Sequence, residues 1–164
     1  MKLSEEVKNK IIEILDSQEF KSNLYEGLTE KKRKELGQFY TPGKLCIQMI
    51  EKFDCDSLSN KNILDPTCGS GNLLIACLIA GADSDKLFGN EYDSVAVGLC
   101  RKRLNRCCDI LNKPHIKDYQ IHQGNALGKW CLTDFSEEYL TKFDPQYIDD
   151  ENYINNKQKQ VSLF

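Results

Sequence analysis

The residues of this chain best suited to chemistry are two carboxylates and a pair of glycines. In Asn62-Ile63-Leu64-Asp65-Pro66-Thr67-Cys68-Gly69-Ser70-Gly71-Asn72-Leu73-Leu74 a short apolar run stops at an acid and a proline, turns through two glycines and becomes apolar again. Gly69 and Gly71 allow the backbone to approach a ligand closely, and a helix starting behind them offers unpaired N–H groups. The second carboxylate, Glu91, stands in Gly89-Asn90-Glu91-Tyr92-Asp93, about twenty residues after Gly71. An acid at the end of such a strand can accept both hydroxyls of a ribose. Strand, tight loop and helix start in this order form the place where an α/β sheet holds a nucleotide-like ligand. A dinucleotide would use the same devices, but the third glycine of its fingerprint is missing and Asp65 would face a diphosphate badly. An ammonium group suits Asp65 well.

The flanking pattern predicts the elements that position these groups. Ser4 ahead of Glu5 and Glu6 is a helix start, and Val7, Ile11, Ile12, Ile14 and Leu15 continue near helical spacing to about Phe20. A second helix is expected over Thr29 to Leu36, ending at Gly37. Pro42 closes a loop and suits the first turn of a helix carrying Leu45, Cys46, Met49, Ile50 and Phe53. Strands are expected over Lys61 to Asp65, Lys86 to Glu91 and Asp118 to His122. Between them lie a buried helix from Asn72 to Ala80 and a long amphipathic helix from Asp93 to about Leu111. The apolar face of that long helix reads Val95, Leu99, Cys100, Leu104, Cys107, Cys108 and Leu111, with Asp93 as its N-cap. Strands separated by helices imply an α/β fold with a doubly wound, mostly parallel sheet.

Composition bounds the function classes. The 164 residues suit one domain with a substantial core; 40% are hydrophobic and 29% charged, as in ordinary globular proteins. No apolar run approaches the roughly 18 residues of a membrane span, and no signal-peptide pattern opens the chain, so a cytoplasmic protein is expected. Eight cysteines without a Cys-x-x-Cys pair read as reduced core residues, Cys46, Cys77, Cys100 and Cys107 above all, and two histidines argue against a metal site. The net charge of −3 does not attract nucleic acid overall. Lys31-Lys32-Arg33-Lys34 and Arg101-Lys102-Arg103 with Arg106 could form a local basic stripe, or simply solvated helix faces.

Asp65-Pro66-x-x-Gly69-x-Gly71 resembles the glycine loop of S-adenosylmethionine-dependent amino-methyltransferases, which methylate adenine N6 or cytosine N4 in DNA. The adenine-N6 branch, similar to type I modification subunits, matches best. Three further elements carry the resemblance: Gly37-Gln38-Phe39-Tyr40-Thr41-Pro42, the Glu91 strand end, and His122-Gln123-Gly124-Asn125-Ala126. The resemblance implies a class I, Rossmann-like methyltransferase fold with S-adenosylmethionine as cofactor. It implies Asp65 at the cofactor's ammonium group, Glu91 at the ribose, and Asn125 at the adenine amino group, where the family usually has an acid. Thr41 would be a polar contact under a lid of Phe39 or Tyr40. Pro66, Cys68, Gly69, Gly71, Asn72, Tyr92 and Ala126 complete the implied cofactor-binding set.

The family's catalytic loop reads Asn or Asp, Pro, Pro, aromatic; it holds a base flipped from the duplex by its amino group while the aromatic stacks on it. The nearest string is Asp144-Pro145-Gln146-Tyr147. It reads either as a degenerate loop, with Asp144, Pro145 and Tyr147 at the base, or as the remnant of a fourth strand replaced by a polar tail. The family's target-recognition domain has no room here, which implies relaxed sequence choice or a partner. The final Gln160-Val161-Ser162-Leu163-Phe164 resembles the pentapeptide with which bacterial polymerases and repair proteins dock on the sliding clamp, with Gln160, Leu163 and Phe164 as contacts; folding back to bury the two apolar residues is the other reading. The implied organisation is an N-terminal helical segment over residues 1–36, a methyltransferase core over 37–148, and a tail over 149–164. The expected function is a compact DNA adenine-N6 methyltransferase. The alternative is an inactive binding protein on the same fold, working through a clamp or a methyltransferase or restriction subunit.

Overall fold

The computed structural model describes residues 1–22 and 40–126. The expected helix over 29–36, the Lys31–Lys34 run, Phe39, Asp144-Pro145-Gln146-Tyr147 and the terminal pentapeptide lie outside the described residues.

Helix α1 (Glu5–Asp16) begins where expected. Ser4 Oγ accepts from Val7 N at 3.3 Å, Glu5 and Glu6 occupy the positive first turn, and Ile11, Ile14 and Leu15 are buried. The helix does not continue to Phe20. Ser17 is extended (φ −62°, ψ 149°) and its hydroxyl donates to Ile14 O at 2.8 Å, offering the backbone a partner other than the next helical turn. A short α2 (Gln18–Ser22) follows on a new axis and carries Phe20 into the core. In α3 (Gly43–Glu51) the Pro42 carbonyl accepts from Leu45 N and Cys46 N. Its inner face is Cys46, Ile47 and Ile50, while Leu45 and Met49 point outward.

Among the described residues the sheet has three parallel strands in the order β1 (Ile63–Asp65), β2 (Leu87–Glu91), β3 (Ile121–Gln123). The register pairs Asp65 with Gly89 and Glu91 with Gln123, so all three strands deliver their C-terminal ends to one edge. Helix α4 (Asn72–Ile79) connects β1 to β2 and α5 (Ser94–Leu111) connects β2 to β3; they pack on each other and on the sheet. Helices α1 and α3 pack together and α4 lies against both. The resulting core centres on Leu74, Ile75, Leu78, Leu104 and Ile121. The second and third strands start later than their apolar pattern suggests, because single 3-10 turns over Ser84–Lys86 and Asp118–Gln120 feed them. Buried Gln120 donates from Nε2 to Ser84 O and Leu87 O, tying the start of β3 to the start of β2.

The seven described cysteines are free thiols, and six of them are buried. Burial pushes the thiols of Cys46, Cys77 and Cys107 up to about 12, which keeps them protonated and inert. On α5 the apolar face is shifted from expectation: Val95 is exposed and Ala96 and Val97 are buried in its place.

Gly71 marks a tight point of the fold. It ends the loop at φ +86°, and a Cβ there would sit 2.7 Å from Cys100 Sγ. Gly71→Ala therefore combines left-handed backbone strain with overpacking, a loss of roughly 2–4 kcal/mol. Urea denaturation of the two proteins should show the midpoint falling with an unchanged slope.

Candidate functional site

At the end of β1 the Asp65 Oδ1 accepts from Thr67 N at 3.1 Å, the local turn expected of an acid at a strand end. The loop is then hung on β2: Cys68 N donates to Asn90 O at 2.9 Å and Gly69 N to Glu91 Oε2 at 2.9 Å. The other oxygen of Glu91 accepts from Asp93 N at 3.0 Å, and Asp93 caps α5 through Val95 N as expected. Glu91 thus ties the glycine loop to the start of α5. Each of its oxygens keeps a second lone pair for a ligand hydroxyl.

The upstream loop meets the same place. The Tyr40 ring lies 3.9 Å from where a Cβ on Gly69 would be, and Asn72 Nδ2 donates to Thr41 O at 2.9 Å. Asn72 Oδ1 is buried with no hydrogen-bond partner. Gly124 N donates to Glu91 O at 3.0 Å, so the half-buried Asn125 and Ala126 leave β3 beside the second strand's end. Tyr92 is exposed on the rim, whereas Cys68 sends its sulfur inward beneath Gly89. The structure therefore brings Tyr40, Thr41, Asp65, Gly69, Gly71, Asn72, Glu91 and Asn125 to one edge of the sheet.

The electrostatics are unbalanced. Among the described residues neither Asp65 nor Glu91 pairs with a lysine, arginine or histidine. Burial chiefly holds the Asp65 carboxyl above its ordinary range; the Thr67 N–H pulls it down and the charge of Glu91 pushes it up further.

The basic cluster on α5 is divided: Lys102 and Arg106 are exposed, Arg101 is half-buried and Arg103 is buried. Arg103 is only 4% exposed: Nη1 donates to Ser70 O and, at 2.9 Å, to Ser70 Oγ, and its guanidinium carbon lies 5.4 Å from the Phe20 ring centroid. Burial lowers its pKa to about 10, still charged at neutral pH. Arg101 donates to Ile121 O and Arg106 pairs with Glu19. A cavity of about 190 Å³ lined by Phe20, Lys102, Arg103, Arg106 and Glu19 lies between α2 and α5, not at the strand ends. Reading the sequence alone misses Arg103, Ser70 and Asn90. The available signals were an arginine at the helical spacing of buried Cys100 and Cys107, and an amide inside a central strand.

A family model described as N-6 DNA Methylase matches residues 17–158, well over half of the chain. The chain belongs to the N-6 DNA methylase family. The Type II methyltransferase M.VspI of Vibrio sp. (strain 343) is 32% identical to it, over 62% of this chain and 26% of that protein. The Type II methyltransferase M.NspV of Nostoc sp. (strain ATCC 29411 / PCC 7524) is 35% identical, over 40% of this chain and 14% of that protein. The chain therefore spans well under two thirds of either relative. No solved structure matches it.

The family's methyl donor is S-adenosylmethionine, and the residues present fit it. Two carboxylates without a cationic partner among the described residues suit an ammonium group and ribose hydroxyls, and Gly69 leaves its backbone open beneath the Tyr40 ring. Among the described residues no helix is long and apolar enough to cross a membrane, and no group of histidine, cysteine and acidic side chains could hold a metal ion.

The raised Asp65 carboxyl has a thermodynamic signature. The folded chain binds this proton more readily than the unfolded chain. Stability therefore falls as pH rises from the ordinary carboxylate range through the raised value, and the ionised carboxylate costs stability at neutral pH. Asp65→Asn should raise the Tm of the ligand-free protein at pH 7, on the order of 2 °C, with the advantage vanishing in acid. Thermal unfolding across that pH range reads the difference directly.

Proposed function

We propose that this chain is the cofactor-binding core of a DNA adenine-N6 methyltransferase. The observation that carries the reading is the pair of carboxylates, Asp65 and Glu91, at the glycine loop with no cationic partner among the described residues, in a chain of the N-6 DNA methylase family. The sheet is read as one half of a doubly wound fold. Order β3-β2-β1 is the first half of the 3-2-1-4-5-6 pattern, and ligands of such folds sit outside the strand ends at the switch beside β1.

In this reading Asp65 binds the ammonium group of S-adenosylmethionine, Glu91 the ribose hydroxyls and Asn125 the adenine amino group through its amide oxygen. Thr41 and Tyr40 close over the methionine end, with Phe39, outside the described residues, beside them. When bound, S-adenosylmethionine supplies an electrophilic methyl group on a sulfonium. The protein's contribution is to orient the target amino nitrogen and exclude water, which needs positioning more than a strong base. Asp144, Pro145 and Tyr147 are assigned to the flipped base by the family's catalytic-loop pattern. Gln160, Leu163 and Phe164 are assigned to a sliding clamp, which would raise the effective concentration of the chain on replicating DNA.

Expression in a methylation-free bacterial strain, with modified bases read genome-wide on native DNA, tests the activity. N6-methyladenine above background is expected; an unmodified genome with the protein soluble and present would remove the reading of this chain as sufficient for activity. Calorimetry tests the cofactor assignment. Asp65→Ala and Glu91→Ala should each weaken S-adenosylmethionine binding roughly tenfold or more, as loss of a charge-assisted hydrogen bond predicts. Binding that ignores both substitutions would sink it. For the tail, a clamp pull-down should retain the intact chain and release one ending at Lys159; equal retention removes that assignment.

A further inference from the structure

One buried amide joins the ends of all three strands. Asn90, in the middle strand, is fully buried. Its Nδ2 donates to Pro66 O at 3.1 Å, in the loop after β1, and to Gly124 O at 3.0 Å, after β3. Two carbonyls can only accept, which fixes the amide's orientation. Its Oδ1 then faces His122 Nδ1 at 2.8 Å, and that nitrogen must carry the proton. The Asn90 carbonyl also accepts from Cys68 N at 2.9 Å.

Gly124 shows how closely this group is packed. A Cβ there would lie 2.6 Å from His122 Cε1 and 3.1 Å from Asn90 Oδ1. Its φ is not in the left-handed region, so the neighbouring side chains rather than the backbone conformation leave no room for a side chain. A parallel strand buried on both faces normally carries apolar residues, and an amide there is tolerated only when it is hydrogen-bonded. The sheet has no need of an amide at position 90. What an apolar residue could not do is hold two loops by their carbonyls.

We propose that Asn90 is a positioning residue for the cofactor. By gripping Pro66 and Gly124 at once it sets the gap between the glycine loop and the Asn125 loop, and with it the slot for the adenosine half of the ligand. This rests on the reading of the strand ends as an S-adenosylmethionine site. His122 acts behind it, holding the amide in plane.

Asn90→Asp tests the grip, because it keeps the shape and turns a donor nitrogen into an oxygen facing two carbonyls. Calorimetry with S-adenosylhomocysteine should show affinity lowered roughly tenfold or more, the scale on which small misplacements act. In the ligand-free protein the amides of Cys68 and Gly124 should exchange faster with solvent. Gly124→Ala presses on the same group from the other side and decides the matter if Asn90→Asp does not fold; it too should weaken binding. Ile11→Ala, in the core of α1, is the comparison: it should lower Tm and leave the affinity unchanged. Wild-type affinity in both Asn90→Asp and Gly124→Ala would overturn the inference, as would an equal loss in Ile11→Ala or unchanged exchange at Cys68 and Gly124. Failure of the unsubstituted protein to bind S-adenosylhomocysteine is a separate result, which overturns the cofactor reading itself.

Discussion

The strand-end edge of this molecule depends on hydrogen bonds that tie the loops to the middle strand. Backbone groups of the glycine loop reach β2 through Asn90 O and Glu91 Oε2, and Gly124 reaches it through Glu91 O and the Asn90 amide. β2 is the middle strand, so it alone neighbours both of the others. Its last two residues carry the connections. Buried polar groups in a low-dielectric interior are costly when half satisfied and rigid when satisfied, so such a cluster selects one geometry.

The edge that results is poor in stability and rich in potential. Asp65 is held partly out of water beside Glu91, with no cation among the described residues to offset either charge. Several acids elsewhere meet a cation: Glu51 meets Lys8, Asp16 meets Lys21, and Glu19 meets Arg106. A cationic ligand would relieve the imbalance at the edge. Stability is supplied instead by the core behind the edge, where α4 is almost wholly buried and the cysteines of α5 act as small apolar residues.

Arg103 supports the edge from behind. It crosses from α5 to Ser70 and stacks on Phe20, linking the glycine loop to the helix break at Ser17 that brings Phe20 inward. Charge counting cannot find this. A run of basic residues on a helix looks the same whether its side chains face water or the back of a loop, and the difference is set by which helix packs above it.

Much of the fold and site was legible in local chemistry. Ser4 and Asp93 cap helices because their own oxygens reach N–H groups two or three residues on, and Gly71 turns the chain because no other residue tolerates its φ so cheaply. Asp65, Glu91 and the glycine loop could be placed for the same reason: strand end, turn and helix start are written in adjacent residues. The outward turn of Leu45 and Met49, the inward turn of Arg103 and the bonding of Asn90 were not legible. Each depends on a partner tens of residues away or on which face of an element is covered, and hydrophobic period alone fixes neither. The sequence by itself determined which elements form and which residues carry charge to the edge. Only the tertiary structure decided how wide that edge is held, because Pro66, Asn90 and Gly124 meet only once three strands are paired in register.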